Sequence, residues 1–376
     1  IFSDFGAEVI KIESAARPDS VRVGGPFKDG RPGINRSGYF ASRNTGKKSL
    51  SVDLKTGEGR AVVCDLIRRS DVVSNNFGPG AMDRLGLGYD AVRQMKPDII
   101  YLSMPMYGDT GPRASMLGVG MTISAVTGLL WHTAYGPNDP VGPGTHYPDH
   151  AANPYHAAFA VLAALRYRRM TGEGMKVDLS QVESTINFLG PAVVEALATG
   201  TEPPQLGNRS RRHAPQGIYR CAGDDEWCAI AVRSDAEWAV LADLLGRPDL
   251  ARLFPDVRSR LAAPAELDEA VEAWTIGRLP EEAARILRDA GIAAARVMNA
   301  RTLVEQDGQL AARAYWQRVD HPELGNSLYA SPPYRVDGER VELERPPLLG
   351  EHNHQVLGGI LGWAPERSAE LEAGGV

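Results

Sequence analysis

Asp149 is the carboxylate with the widest choice of chemistry. It closes the run Gly144-Thr145-His146-Tyr147-Pro148-Asp149, which leaves a Pro/Gly loop just ahead of the helix signal Asn153-Pro154. A carboxylate there can cap the helix. It can equally serve as a nucleophile, because helix N-termini and backbone amides stabilise anionic intermediates. Residue type and spacing leave both roles open. His132, His146, His150 and His156 fall around it with Asp139. Those are metal-ligating types, but no pair has HExxH-like spacing, so no metal is expected.

A second candidate is Asn76-Phe77-Gly78-Pro79-Gly80-Ala81-Met82-Asp83-Arg84-Leu85-Gly86. Small residues in series let a backbone approach a ligand closely, and Arg84 can reach a phosphate. A plain turn with a surface arginine fits the same residues. Lys47, Lys48 and Lys55 flank an alternating strand, and they matter only if the same cleft holds phosphates. No GxSxG, P-loop or GxGxxG occurs.

These groups need a scaffold, and the first half of the chain alternates strand and helix signals. Val9–Ile12 is a short apolar run. Thr56–Arg69 has helical spacing with Ala61, Val62, Leu66 and Ile67 facing inward. Val72-Val73 and Asp98–Met104 read as strands, the latter bounded by Pro97 and Pro105. Asn153 is expected as the N-cap, with Pro154 at the first position, of a helix to Met170. A strand Met175–Leu179 follows. The capping box Ser180-Gln181-Val182-Glu183 then opens a helix to about Leu197. The alternation predicts an α/β fold with a largely parallel sheet.

A stretch rich in Pro, Gly and Arg, 199–216, reads as a linker and carries Arg209, Arg211 and Arg212. Beyond it, 217–320 reads as a smaller α+β domain. It opens with a hairpin about Gly223-Asp224-Asp225, and helices follow at Ser234 and at Pro280–Ala290. Residues 321–376, with an apolar pattern over Pro346–Trp363, return to the large domain 1–198.

The chain has 376 residues, 43% hydrophobic and 23% charged, ordinary for a globular protein of about two domains. A formal net charge of -6 argues against a polyanion as main partner, so no nucleic acid is expected. No apolar run approaches the ~18 residues of a membrane span. The 3 cysteines, Cys64, Cys221 and Cys228, include no CxxC, which reads as a reduced, cytoplasmic protein without a disulfide framework. Ile1–Gly6 reads as a helix end without its helix, which suggests a truncated N-terminus.

Six stretches carry a resemblance: DFGAEVIKIE (4–13), NTGKKSLSVDLKTGEGR (44–60), NNFGPGAMDRLGLGY (75–89), YGDTGP (107–112), AAFAVLAALRYRRMTGEGMKVDLSQVES (157–184) and PPLLGEHNHQVL (346–357). In this order they resemble the class III CoA-transferases (CaiB/BaiF type), a group that includes formyl-CoA and carnitine CoA-transferases and α-methylacyl-CoA racemases. The resemblance implies a Rossmann-like large domain with a six-stranded sheet, a small α+β domain inserted before the returning tail, and an interlocked homodimer. It implies a first strand ahead of the present start. It also implies transfer of CoA from an acyl-CoA donor to a carboxylic acid through an aspartyl anhydride and an aspartyl-CoA thioester, with CoA as substrate moiety and no tightly bound cofactor. Family spacing counted back from Val161–Leu165 lands on His150, and one inserted residue within Ala151–Pro154 restores Asp149 as the nucleophile.

The resemblance carries CoA contacts onto Val52, Lys55, Asn76, Phe77, Arg84 and Leu85. Ser14 stands where some members have a basic residue. The Gly-rich loop of formyl-CoA transferase has no counterpart, and Asn208–Gly217 is expected to shield the anhydride instead. Trp131, His132, His146, Tyr147 and His150 are the candidate acyl pocket, roomy enough for an aromatic or dicarboxylic acid, although they could simply pack the loop. Two alternatives stay open. A racemase needs a base at each face of an α-carbon, and Gly118–Ile123 has no His where that branch carries one. The chain could also be one subunit of a heteromeric transferase.

Overall fold

In the computed structural model of the chain, which describes residues 1–136 and 139–367, the apolar runs form short strands. β1 (Ile10–Glu13) and β2 (Lys48–Ser51) pair in parallel, Ile10 opposite Lys48. β3 (Val72–Asn75), β4 (Ile100–Ser103) and β5 (Met175–Asp178) form a parallel three-stranded sheet with β4 central. β4 is buried along its whole length, as a parallel strand covered on both faces must be. The parallel strands thus fall into two sheets instead of one six-stranded sheet, because no described strand bonds to both.

The helix Gly57–Arg69 is capped by the Thr56 hydroxyl, which accepts from Gly59 N–H. It buries Val62, Val63, Leu66 and Ile67, while Ala61 lies on the solvent side. Larger apolar groups win the inward stripe, and alanine is the residue displaced from it. Residues Leu50, Val62, Leu87, Val92 and Ile99 share one core with Val356 and Leu357 of the returning tail.

Asn153 is not an N-cap. A π-helical turn, Pro148–Ala152, leads directly into the helix Asn153–Thr171. Pro148 takes the first position, where an N–H would be unpaired anyway, and Pro154 follows where the π turn gives way to the α-helix. The helix expected to reach Leu197 is divided into Gln181–Ile186, a 3-10 turn Asn187–Leu189 and Gly190–Thr199. Gly190 and Pro191, both poor helix formers, stand at the last of these junctions.

The chain divides into two compact units. The first comprises Ile1–Thr127, His146–Gly190 and Gly308–Val376, and the second Gly128–Thr145 and Pro191–Asp307. In the second, β6 (Gln216–Arg220), β7 (Trp227–Ala231) and β8 (Ala293–Arg296) form an antiparallel sheet, with Tyr219 opposite Cys228 about the expected hairpin. Its core centres on Trp238, Leu241, Leu250, Leu267 and Leu287.

The first unit is completed by the hairpin β9 (Trp316–His321) and β10 (Gly325–Ala330) and by the segment after it. That segment is sewn to β2 by side chains. Ser49 N–H donates to His352 Nδ1 (3.2 Å), Ser51 N–H to Asn353 Oδ1 (2.9 Å), and Gly350 N–H to Ser49 Oγ (3.0 Å). Below this seam Arg22 makes a bidentate pair with Glu13, Nε–Oε1 2.8 Å and Nη2–Oε2 2.9 Å, both side chains at most 1% exposed. Phe40 lies 3.6 Å beneath the guanidinium, which also donates to Pro347 O at 3.3 Å.

Candidate active site

Asp149 lies in the second position of the π-helical turn, half-buried. Asp149 N–H and His150 N–H both reach back to His146 O, at 3.0 and 3.2 Å, and Asn153 N–H closes the wider turn on Pro148 O. Such turns concentrate at functional sites because they re-aim a side chain within a helix. The carboxylate is re-aimed at the N-terminal end of the helix Gly120–Val126, where Gly120 N–H donates to Asp149 Oδ2 at 3.0 Å. Asn153, one turn on, favours the ionised carboxylate, and its own amide donates to Gln181 Oε1 at 2.9 Å.

Position 120 admits only glycine without rearrangement. A Cβ there would meet Asp149 Oδ2 and His146 Cβ, each at 2.7 Å. The backbone comes close enough to hold one carboxylate oxygen because no side chain intervenes.

Burial holds the Asp149 carboxyl above its ordinary value of 3.8, and the Gly120 hydrogen bond, His146 and Asn153 oppose that rise only in part. A partly desolvated carboxylate is the stronger nucleophile. His150 is pushed down from its ordinary value by burial, then by Arg43 and His146, which favours the neutral imidazole. Its Nε2 lies 3.1 Å from the Tyr39 hydroxyl. Tyr39 is in turn raised by burial and by the Asp149 charge. His146 Nδ1 is buried with no hydrogen-bond partner among the described residues.

The first unit thus brings His146, Tyr147, Asp149 and His150 together. Tyr147 sets its ring edge-on to Phe188, centroids 6.1 Å apart, which is packing. Trp131 and His132 belong to the second unit, where Trp131 Nε1 donates to Pro203 O at 3.5 Å and His132 stands 3.9 Å from Glu202. Sequence reasoning missed Tyr39 and the Gly120 amide. Tyr39 lies 111 positions from its partner His150, and a backbone donor carries no mark in a sequence.

Of the proposed CoA contacts, Asn76, Phe77, Lys55 and Arg84 are exposed. Gly80, at φ +74, starts the short helix Ala81–Arg84 and sets Arg84 at its end. Arg84 forms no ion pair among the described residues. Leu85 packs partly into the core, and Val52 is 4% exposed within it, so neither offers an open side chain to a ligand. Lys48 is engaged with Glu8. Lys47 is pushed down to about 8, chiefly by burial, and donates to Asn44 Oδ1 at 3.0 Å. Among the described residues no cluster of three His, Cys, Asp or Glu side chains could hold a metal ion, and no helix is long and apolar enough to cross a membrane.

The profile described as CoA-transferase family III matches residues 1–353. A probable CoA-transferase of Mycobacterium tuberculosis is 35% identical over 99% of the chain, which spans 47% of that relative's length. A formyl-CoA:oxalate CoA-transferase of Streptomyces avermitilis is 30% identical over 99% of the chain and 93% of its own. Among solved structures, a CaiB/BaiF family protein from Brucella suis superposes with a TM-score of 0.86 at 28% identity, covering 95% of this chain and 93% of that one.

Proposed function

Because the chain belongs to CoA-transferase family III, we propose that it moves CoA from an acyl-CoA donor to a free carboxylic acid by covalent catalysis at Asp149. The observation that carries this reading is the Gly120 N–H, 3.0 Å from Asp149 Oδ2. It fixes one carboxylate oxygen and leaves Oδ1 to attack the thioester carbonyl.

Attack forms a C–O bond, and collapse of the tetrahedral oxyanion expels CoA as thiolate, leaving a mixed anhydride. The thiolate attacks the Asp149 carbonyl and displaces the original acid, giving an aspartyl-CoA thioester. The acceptor carboxylate then attacks that thioester and expels the thiolate, leaving a second mixed anhydride, and the thiolate attacks its acceptor-derived carbonyl, which releases the acyl-CoA product and the free Asp149 carboxylate. While Asp149 is acylated its former Oδ2 is a carbonyl oxygen. The Gly120 amide is then an oxyanion donor for each attack on Asp149, the kind of contact worth about 2.7–4 kcal/mol. The neutral His150–Tyr39 pair orients this wall of the site without supplying charge.

Asn76, Phe77, Lys55 and Arg84 are the CoA side of the proposal, with Leu85 and Val52 as the packed residues behind them. The exposed side chains Phe159 (77%), Leu162 (59%) and Met170 (72%) leave an apolar face on the helix Asn153–Thr171, which supports a working dimer. A dicarboxylic or aromatic acid as acceptor and a cytoplasmic setting complete the proposal. A racemase has less support, since Val119 and Gly120 occupy the stretch where a second base is needed.

The test is incubation with succinyl-CoA or acetyl-CoA and a panel of acids, read by mass spectrometry. Exchange should be accompanied by a CoA adduct on the peptide holding Asp149, absent in Asp149→Asn. Deuterium entry at an α-carbon without exchange would favour the racemase.

A further inference from the structure

The returning segment of the first unit is fastened to the front of the chain at two places, and a histidine accepts hydrogen bonds at each. At β2, Ser49 N–H donates to His352 Nδ1 at 3.2 Å, and His352 N–H returns a bond to Ser49 O at 3.1 Å. At the turn after β9, Glu323 N–H and Leu324 N–H both donate to His321 Nδ1, at 3.2 and 3.1 Å. That turn holds residues 35–41. Glu323 Oε1 accepts from Asn35 Nδ2 at 2.9 Å, Glu323 O accepts from Arg36 Nη1 at 3.3 Å, and Leu324 shares a core with Ala41 of the helix Gly38–Arg43.

A backbone N–H can only donate. A ring nitrogen that accepts from one must be bare, so both imidazoles carry their proton on Nε2 and are neutral. A second proton, on Nδ1, would set N–H against N–H. The amides of Ser49, Glu323 and Leu324 would lose their acceptors, a costly state for buried donors.

The surroundings oppose that proton. His321 is 5% exposed and His352 is half-buried. Arg345 and Arg22 face His321 against Glu323 and Glu351, while Arg345 and Lys48 face His352 against Glu351 alone. Glu13, reached from β2 through Ser49 Oγ at 3.2 Å, is already paired with Arg22. Neither ring forms an ion pair among the described residues. Burial, joined by Arg345, holds both histidines below the ordinary 6.5. Glu351, held down at about 2 by Arg345, keeps its charge while they titrate.

We propose that His321 and His352 form a two-point proton latch: neutral, they clasp the returning segment to β2 and to residues 35–41, and protonated, they release it while the second unit stays folded. β2 runs directly into Val52 and Lys55, and the helix Gly38–Arg43 carries Tyr39, so release slackens both segments. In the opened chain the rings regain ordinary values and bind protons more tightly than in the closed one. Closure is therefore complete above about pH 6.5 and is lost as pH falls through the lowered native values. Each ring changes the opening constant by at most about tenfold per pH unit. The latch does not depend on the transferase reading.

Amide hydrogen exchange on the full chain at pH 7.5 and pH 5.5, corrected for intrinsic exchange, tests it. Opening at Ser49 and Leu324 should rise at least about tenfold on acidification, with β6 and β7 of the second unit unchanged. Asparagine keeps an acceptor where Nδ1 stood and takes no proton. His352→Asn should therefore remove most of the response at Ser49, and His321→Asn most of that at Leu324. No acid response, or a response that survives both substitutions, overturns the latch. An equal rise in the second unit overturns it too, since that is global acid unfolding. If a variant fails to fold, nitrogen-15 spectra of the unaltered chain labelled at histidine decide: Nδ1 of both rings must be bare at pH 7.5 and take up its proton over the same interval in which the amides open. Protonated Nδ1 at pH 7.5, or titration without opening, refutes the proposal. Exchange needs no turnover, so its failure leaves transfer at Asp149 untouched, and an inactive Asp149→Asn leaves the latch untouched.

Discussion

Replacing Gly120 by alanine tests the proposed site with the smallest possible change. The added Cβ would stand 2.7 Å from Asp149 Oδ2, 2.7 Å from His146 Cβ and 3.0 Å from His146 Cα. Heavy-atom contacts relax at about 3.5–4.0 Å, so the carboxylate must retreat by roughly 0.8–1.3 Å. That retreat breaks the 3.0 Å hydrogen bond from Gly120 N–H. Losing a hydrogen bond to a charged group costs about 1.5–3 kcal/mol, or roughly 10- to 150-fold in rate if the whole contact serves the transition state. A misplacement of about 1 Å can by itself cost on the order of 10²-fold. The expected outcome is a fall of about 10²-fold in kcat/KM for CoA exchange. The Kd for CoA should stay within twofold, since the proposed CoA contacts lie on other segments. Overpacking should also lower stability by about 1–3 kcal/mol, visible as a lower Tm. Steady-state exchange with a mass-spectrometric readout, CoA calorimetry and thermal melting give the three numbers. A folded Gly120→Ala protein that exchanges CoA within twofold of the parent refutes the placement of the nucleophile.

Asp149→Asn should abolish exchange while raising Tm at neutral pH. Burial raises the Asp149 pKa, so the native state holds its proton more tightly than the unfolded chain. Stability therefore falls as pH rises through the interval above 3.8, and the ionised group is a net cost at pH 7. The Tm difference should shrink on acidification, and the acid limb of kcat/KM should lie above the ordinary Asp value. His150→Ala should lose far less activity than Asp149→Asn; the reverse order in an exchange assay moves the nucleophile away from Asp149. Arg84→Ala should weaken CoA binding by about 1.5–3 kcal/mol, measured by calorimetry, without changing Tm. Arg22→Met strands Glu13 in the core and should cost about 3–5 kcal/mol in urea unfolding, whereas adding Glu13→Leu should recover much of it.

Local patterns were legible and distant ones were not. Asp98–Met104 reads as a strand because its apolar run is continuous and fenced by prolines, and β4 is buried throughout. The hairpin at Gly223–Asp225 follows from the two β-rich flanks that pair across it. The Thr56 cap is a local signal too, yet Ala61 and Val63 were exchanged because the helix turns its larger residues inward. Asn153-Pro154 misled for a related reason: Pro148 offers the same signal one turn earlier, and the π turn between them has no sequence mark. The family stretches led to Asp149. The Gly120 amide, 29 positions away, needed coordinates, as did the 111-position contact between Tyr39 and His150. The Arg22–Glu13 pair stayed hidden because a charged residue in a strand reads as its solvent side unless its partner is known.

The seam between β2 and the tail governs the order in which the protein can be built. Ser51 finds its acceptor on Asn353, 302 positions later. At synthesis rates of about 5–20 residues per second, those partners leave the ribosome roughly 15–60 s apart. Meanwhile the amides of Ser49 and Ser51 stay open, and Leu50 lacks the cover of Val356 and Leu357. The second unit, complete at Asp307, can fold in that interval, so the later part of the chain reaches its native form before the earlier part does. A nascent chain paused between 307 and 353 carries a finished second unit beside an open strand edge. Such a chain is a ready substrate for chaperones, or for strand exchange with a neighbouring copy.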